Sequence, residues 1–192
     1  MTIDAKETEL SRLASRIRAC TKCELHRGRT KGVPGSGPAH ADVVFLGEGP
    51  GAREDELGLP FVGRSGKYLD QLLMSVRLHR DEVFITNVVK CRPPSNRNPR
   101  VAELEACIPY LEQQLELIQP RLVVTLGRFA MEHFLPEGRI SEIHGQPRQI
   151  EDTIYLPLYH PAAALYRASL RSVVEDDFQK IRMLLDQPQV VP

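Results

Sequence analysis

Residues 42–55 read DVVFLGEGPGARED and join a short apolar run to a bend rich in glycine. Three more apolar runs follow, at Val83–Val89, Leu122–Leu126 and Thr153–Leu158. All four runs are short and rich in β-branched residues, which favours strands. Segments with helical periodicity lie between them, at Lys67–Val76, Val101–Ile118 and Arg128–Phe134. Apolar strands that alternate with helices predict an α/β fold, with a parallel sheet covered on both faces.

The chain before the first strand has a different pattern. Glu7–Ala19 carries apolar residues at helical spacing and predicts an amphipathic helix. The helix runs into Cys20-Thr21-Lys22-Cys23, and His26–His40, which holds several glycines and prolines, is predicted to be a loop. We find no internal repeat, low-complexity tract or linker, so we expect a single domain over residues 1–192.

The composition is typical of a globular protein. The chain has 192 residues, of which 42% are hydrophobic and 26% are charged. This is enough for one domain with a substantial core. No stretch is long and apolar enough to cross a bilayer, and Met1–Ser15 is charged, unlike an export signal. We therefore expect a cytoplasmic protein with no membrane partner.

Net charge gives no indication of nucleic acid, because 25 Lys and Arg balance 25 Asp and Glu. Basic residues nevertheless cluster in three places: His26–Lys31; Lys90, Arg92, Arg97 and Arg100; and Arg167 with Arg171. The last two arginines are predicted to lie one turn apart on the final helix. Each cluster fits either a nucleic-acid contact or a solvated surface.

The four cysteines predict a metal site. Cys20 and Cys23 form a C-x2-C pair, Cys91 follows the second strand, and Cys107 lies within the next helix. With no export signal we expect reduced thiols, and four thiolates can complete a tetrahedral site. The spacing does not distinguish zinc from an iron–sulfur cluster. The alternative is that Cys107 is simply a small core residue.

Carboxylates gather at the bend after the first strand. Glu48, Glu54 and Asp55 lie among three glycines and a proline. In a parallel sheet ligands bind at the carboxyl ends of the strands, and glycines permit close approach of backbone to ligand. The alternative is an ordinary loop with surface acids.

Two residues beyond this bend are also candidates for ligand contact. Phe61 offers a flat face on which a base can stack, or it belongs to the core. Ser65 resembles the N-cap of the following helix, whose N-terminus is also suited to binding a phosphate.

Two polar residues mark other strand ends. Asn87 lies in an apolar strand, where a buried amide needs hydrogen-bond partners. Its amide can pair with the O4 and N3–H of uracil, whereas cytosine has the reverse pattern; the alternative is an asparagine satisfied by a nearby loop. His160 ends the last strand, beside a proline that starts a helix and three alanines that allow close approach.

Together these segments resemble the family 4 uracil-DNA glycosylases, the iron–sulfur branch of the uracil-DNA glycosylase superfamily. The resemblance extends from about Leu10 to Leu185 and includes the positions of the cysteines. Its motifs are GEGPGAREDELGLPFVGRSGKYLD (47–70), FITNVVKCRPPSNRNP (84–99), LVVTLGR (122–128) and HPAAAL (160–165).

The resemblance implies a three-layer α/β/α sandwich around a central four-stranded parallel sheet. It implies a structural [4Fe–4S] cluster held by Cys20, Cys23, Cys91 and Cys107. Uracil flipped out of DNA would lie near Gly47, Glu48 and Gly49, stacked on Phe61. Asn87 would read its Watson–Crick edge, and His160 would donate to its O2. Independently of the resemblance, we expect Ser65 and Arg167 to contact the DNA and the loop Ala162–Arg171 to fill the space that the base leaves.

The resemblance leaves the base that activates water undecided. At Gly49 better-known members of the superfamily have an aspartate, so we expect Glu54 to orient the water, with Glu48 as second choice. One branch of the family forms a covalent adduct through a histidine in a basic loop after the second strand. Here that region reads KCRPPSNRNPR and contains no histidine, so we expect turnover.

We therefore expect a monofunctional glycosylase that acts as a monomer on single- or double-stranded uracil-containing DNA. One alternative is a non-catalytic iron–sulfur DNA-binding module. A second is a nucleotide-binding transferase, but the glycine-rich bend matches neither of the common phosphate-binding motifs, so we expect no nucleotide cofactor.

Overall fold

A computed structural model describes residues 1–187 of the chain. Its centre is one five-stranded sheet of order β2-β1-β3-β5-β4. The strands are β1 (Val43–Gly47), β2 (Phe84–Asn87), β3 (Leu122–Leu126), β4 (Arg148–Ile150) and β5 (Thr153–Leu158). The four predicted strands all form, and they pair in parallel, as expected.

The expected count of four strands is short by one. The additional strand, β4, lies at the sheet edge and pairs antiparallel with β5, with Arg148 opposite Tyr155. All three of its residues are exposed, so it carries no apolar run that would have predicted a strand.

Helices lie on both sides of the sheet. They are α1 (Ile3–Ala19), α2 (Leu25–Gly28), α3 (Ala52–Leu57), α4 (Arg64–Ser75), α5 (Val101–Ile118), α6 (Arg128–Glu132), α7 (Ile140–Ile143), α8 (Pro161–Tyr166) and α9 (Arg171–Leu185). Two 3₁₀ turns occur, at Pro94–Asn96 and Ala168–Leu170. None of the helices described over residues 1–187 is long and apolar enough to cross a membrane.

The core confirms the three layers, because successive residues of a strand point to opposite faces of a sheet. Phe45 of β1 packs with Leu69 of α4 and Phe178 of α9 in one apolar cluster. Its neighbour Val44 packs with Leu111 of α5 in a second cluster on the other face. The predicted α/β/α sandwich is therefore correct.

The amino-terminal helix α1 packs mainly against α5, and its Leu10 also joins the apolar cluster that contains Val44 of β1. Leu13 and Ile17 of α1 and Tyr110 of α5 form a third buried cluster, to which all four cysteines contribute. The amino-terminal segment is therefore joined to the core through this cluster and through Leu10 in the second one.

Four local predictions are wrong. The segment His26–His40 is not entirely a loop, because α2 extends to Gly28 and Ser36 forms an isolated bridge to Ile85. Ser65 is not the N-cap of α4, which begins at Arg64 after Gly63.

The segment after His160 also differs from the prediction. Arg167 is not on the final helix; it ends α8, and α9 begins only at Arg171. The predicted loop Ala162–Arg171 is largely helical, because Pro161 has the fixed φ that suits the first position of a helix and α8 begins there.

Candidate active site and cysteine cluster

A cavity of about 410 Å³ opens where β1, β2 and β5 end. Its lining consists of Glu48, Gly49, Pro50, Gly51, Glu54, Phe61, Ser65, Asn87, Pro93, Asn96, Arg97, His160, Ala162 and Tyr166. Seven residues expected at the site are therefore brought together in one cavity. This size fits a nucleobase-sized ligand.

Phe61 belongs to the apolar core and also lines the cavity. The side chain is only 5% exposed, and its ring lies 5.5 Å from that of His160 at an interplanar angle of 24°. Its backbone has a φ of 49°, which is uncommon for a residue with a side chain. The segment is held there closely, since a Cβ at Gly66 would lie 1.8 Å from the Phe61 carbonyl oxygen.

Gly47 does not line the cavity, but it lies against two residues that do, Asn87 and Phe61. A Cβ at this position would lie 2.4 Å from Asn87 Oδ1 and 2.7 Å from Phe61 Cζ. The glycine therefore allows the amide and the aromatic ring to lie side by side over the end of β1.

Asn87 ends β2 opposite Gly47 and is only 2% exposed. Its backbone position is set by the sheet and by the next residue, since the Val88 N–H donates to the Gly47 carbonyl at 2.9 Å. Its amide has no hydrogen-bond partner within residues 1–187 and lines the cavity. A buried amide with unused donors and acceptors is suited to a polar ligand.

His160 is fixed as one tautomer by its own helix. It is the N-cap of α8, where its Nδ1 accepts a hydrogen bond from the Ala162 N–H at 3.1 Å. Because Nδ1 accepts, the proton of the neutral ring lies on Nε2, which can donate to a ligand. Burial lowers the pKa of His160 to about 4, although the nearby Glu54 opposes the shift. The ring is therefore a neutral donor near pH 7.

The two expected carboxylates differ in their contacts. Glu54 Oε1 accepts hydrogen bonds from the Val62 N–H at 2.9 Å and the Gly63 N–H at 2.8 Å. These bonds hold the segment between Phe61 and α4. Glu48 lines the cavity without any such bond among residues 1–187, and burial raises its pKa despite Arg128. This geometry favours Glu48 over Glu54 as the carboxylate that faces a ligand.

Asp55 does not reach the cavity. It is buried and accepts hydrogen bonds from the main-chain N–H groups of Thr30 and Lys31. Its function is to hold the segment after α2 against α3.

The expected DNA contacts are only partly at the cavity. Ser65 lines it, whereas Arg167 is exposed and lies outside the lining. Tyr166 belongs to the segment Ala162–Arg171 but was not singled out from the sequence, and it lines the cavity and is 83% exposed. An exposed tyrosine at the end of a short helix has no sequence signal that distinguishes it from a core residue.

The second basic cluster of the sequence is not a single basic surface. Arg97 lines the cavity but forms two hydrogen bonds, of 2.8 and 2.6 Å, with the buried carboxylate of Glu103. Lys90 is only 1% exposed, and burial lowers its pKa to about 7. Neither burial nor this pairing could be read from the charge pattern.

All four cysteines are free thiols, and they line one small cavity between α1, the end of β2 and α5. Burial raises the pKa of the Cys23 and Cys91 thiols and raises that of Cys107 to about 11. Thiols in this environment stay protonated near pH 7 unless a cation stabilises the thiolate.

Hydrogen-bond donors are directed at three of the sulfurs. The Arg29 guanidinium donates to Cys91 Sγ at 3.0 Å. The main-chain N–H of Lys90 donates to Cys107 Sγ at 3.2 Å, and that of Lys22 donates to Cys20 Sγ at 3.4 Å. In the part of the chain that the structure describes, no three His, Cys, Asp or Glu side chains are arranged to hold a single metal ion.

Comparison with known proteins gives one consistent result. The model of the uracil DNA glycosylase superfamily matches residues 34–183. A type-4 uracil-DNA glycosylase of Sulfurisphaera tokodaii is 43% identical, over 94% of this chain and 86% of that protein. One from Archaeoglobus fulgidus is 44% identical, over 94% of this chain and 95% of that protein. A third, from Saccharolobus solfataricus, is 41% identical, over 94% and 88%.

The family match covers the strands, the cavity residues and two of the four cysteines, and the alignments to the relatives cover nearly the whole chain. The chain therefore belongs to the uracil DNA glycosylase superfamily and, within it, to the type-4 uracil-DNA glycosylases.

Proposed function

We propose that this protein hydrolyses the N-glycosidic bond between uracil and deoxyribose in DNA, leaves an abasic site and so starts base excision repair. The observation that carries the proposal is the neutral His160 donor, held in one cavity with the free amide of Asn87 and the ring of Phe61. The names of its relatives supply the substrate, since all three are called uracil-DNA glycosylases.

Uracil must leave the duplex to enter the cavity, which costs a few kcal/mol of stacking and pairing. Phe61 would stack on the flipped base. The Asn87 amide would donate to uracil O4 and accept from N3–H. Cytosine presents an amino group and an unprotonated N3 at these positions, so it would leave both ends of the amide mismatched.

His160 would act on the leaving group. Breaking the N-glycosidic bond places negative charge on the uracil ring and positive charge on the sugar. The Nε2–H of a neutral His160 would donate to O2 as that charge develops. A donor placed in this way contributes about 3–4 kcal/mol, or a hundredfold or more in rate.

The water that attacks the sugar needs a carboxylate, and here the proposal departs from the order expected from the sequence. Glu48 would orient the water and stabilise the sugar cation, because its carboxylate is unbonded and faces the cavity. Glu54 would act indirectly, by holding the main chain that follows Phe61. No aspartate is present at Gly49, where a Cβ would already lie 2.7 Å from Val89 Cγ2.

Contacts to the DNA would lie around the mouth of the cavity. Ser65 at the start of α4 and Arg167 at the end of α8 would contact the sugar–phosphate backbone, which makes binding salt-dependent. Tyr166 would stack in the space that the flipped base leaves, since its exposed ring lies at the mouth.

The four cysteines would hold a structural [4Fe–4S] cluster. Their burial in one cluster and the donors directed at their sulfurs fit such a ligand set. When bound, the cluster would cross-link α1, the end of β2 and α5. The single domain, the monomeric state and the cytoplasmic location stay predictions from the sequence.

Cleavage of a labelled oligonucleotide with one uracil, followed by alkali, tests the proposed function. We expect wild type to produce an abasic site and His160→Ala to react at least about a hundredfold more slowly, with unchanged affinity for DNA. Asn87→Asp provides a second variant, altered in the base-reading amide. If wild type binds the oligonucleotide but leaves the uracil in place, the DNA-binding module becomes the better explanation.

A further inference from the structure

Lys90 is a buried lysine that the proposed mechanism does not use. It follows β2 by three residues, lies directly before Cys91, and is only 1% exposed. Within residues 1–187 it has no salt bridge to a carboxylate. A buried amino group destabilises a fold unless its hydrogen bonds are made, so the partners of its Nζ indicate what this lysine holds in place.

The ammonium group makes three short hydrogen bonds. Nζ donates to Thr86 Oγ1 at 2.8 Å, to Gln114 Oε1 at 2.7 Å and to the main-chain carbonyl of Asn87 at 2.7 Å. Three hydrogen-bond partners therefore surround Nζ, and one of them is the main-chain carbonyl of the residue whose amide lines the base cavity.

The same network extends to a second segment. Gln114 Nε2 donates to the carbonyl of Pro34 at 2.5 Å, and the Thr86 hydroxyl donates to that carbonyl at 3.0 Å. The Val33 N–H donates to the carbonyl of Lys90 at 2.8 Å. Helix α5, the end of β2 and residues 33–34 are therefore held together around one amino group.

Asn87 depends on this support because its own amide makes no hydrogen bond within the described chain. Its side chain is oriented only by packing against Gly47 and by the position of its backbone. A shift of that backbone would move the amide relative to a base stacked on Phe61.

We propose that Lys90 is a positioning residue for uracil, which fixes the Asn87 amide in the base cavity by holding the Asn87 carbonyl. The inference rests on the proposed function. It assigns the lysine an effect on recognition that is carried by Asn87 alone, and not a general effect on the fold.

A double-mutant cycle distinguishes these two effects. Lys90→Met keeps the length of the side chain but removes the donor. We expect it to slow single-turnover cleavage of uracil by about tenfold to a hundredfold, because a small misplacement of a positioning group has effects of this size. In an Asn87→Ala background the same change should slow cleavage by less than about threefold, because the group it positions is already gone.

Lys6→Met is a matched control. Lys6 Nζ also donates to a glutamine side chain, Gln119 Oε1 at 2.9 Å, and to a main-chain carbonyl, that of Ile118 at 3.5 Å, but it lies away from the base cavity. It should leave cleavage unchanged in both backgrounds. If Lys90→Met does not fold, Gln114→Met removes one acceptor of the same ammonium group and takes its place in the cycle.

An equal loss of rate in both backgrounds would overturn the inference, as would a Lys90→Met protein that cleaves at the wild-type rate. The proposed function is judged separately, by whether wild type cleaves uracil in the same assay. A wild type that cleaves, with a cycle that shows no coupling, would therefore contradict the inference about Lys90 alone.

Discussion

The base cavity and the cysteine cluster lie at opposite ends of one short segment, Asn87–Cys91. They differ in whether their polar groups have hydrogen-bond partners within the protein. In the cavity the Asn87 amide and the Glu48 carboxylate have no hydrogen-bond partner among the described residues. In the cysteine cluster, donors are directed at the sulfurs of Cys91 and Cys107. The polar groups of the cavity are free to bind a ligand, whereas the sulfurs of the cysteine cluster already accept hydrogen bonds from the protein.

This difference separates activity from stability within a small domain. A free polar group at a ligand site lowers the stability of the unliganded protein, because its partners arrive only with the ligand. The cysteine cluster lies beside an apolar group that joins α1 to α5 and contains Leu13, Ile17 and Tyr110. Substitutions at the Asn87 end of this segment should therefore lower activity and leave stability unchanged, whereas those at the Cys91 end should lower stability.

The largest expected effect is that of Cys107→Ser, at the cysteine end. If the cysteines hold the proposed [4Fe–4S] cluster, removing one ligand should cause loss of iron and lower the free energy of unfolding by at least about 4 kcal/mol, as expected when a structural metal is lost. Iron content, visible absorption and thermal melting measure these changes.

Asn87→Ala, at the other end of the segment, is the comparison for Cys107→Ser. It should keep the melting temperature of wild type and any iron that the cysteines hold, and it should slow single-turnover cleavage of uracil by about a hundredfold while leaving a measurable rate. A Cys107→Ser protein that retains its iron and melts with wild type would show that the two ends do not differ in this way.

The second prediction separates the two carboxylates within the cavity. Glu48→Gln should slow single-turnover cleavage by about a hundredfold and leave the melting temperature unchanged, because it removes the group that orients water. Glu54→Gln should lower the free energy of unfolding by about 1.5–3 kcal/mol, the usual contribution of a hydrogen bond to a charged group. We expect Glu54→Gln to slow cleavage less than Glu48→Gln does.

The two variants are each other's controls, since both exchange a carboxylate for an amide of the same size. If Glu54→Gln abolishes cleavage and leaves the melting temperature unchanged, the order expected from the sequence, with Glu54 first, is correct.

The layers of this fold could be predicted from the sequence because the four parallel strands are continuous apolar runs. Leu122–Leu126, Thr153–Leu158 and Val101–Ile118 even have their predicted bounds. The strand β4 could not be predicted, because Arg148–Ile150 is short and exposed and depends on its pairing with β5. Long apolar patterns are encoded locally, whereas an edge strand needs its neighbour.

The site was predictable where residue type alone limits the chemistry. Asn87 and His160 lie at or just after strand ends and Phe61 lies before α4, and all three line the cavity. Their relation to other groups was not predictable. That Glu54 binds two main-chain N–H groups, and that Lys90 is buried, follow from how α3, α4 and α5 pack, which no spacing in the sequence records.

The smallest expected effect is a pH dependence that should be nearly absent. Burial lowers the pKa of His160 from its usual value to about 4, so the ring stays neutral above that pH. An unfolded chain binds a proton at this histidine at a higher pH than the folded chain, so its contribution to stability falls as the pH drops from about 6.5 towards 4. Its ability to donate from Nε2 does not change over most of that interval.

The ratio of wild-type to His160→Ala cleavage rates should therefore stay constant, within about twofold, from about pH 8 to about pH 5. Taking a ratio removes the effect of Glu48, whose raised pKa lowers both rates on the acid side. A ratio that changes with a midpoint near pH 6.5 would mean that the charged imidazole assists the leaving group. The assignment of His160 as a neutral donor in the base cavity would then be wrong.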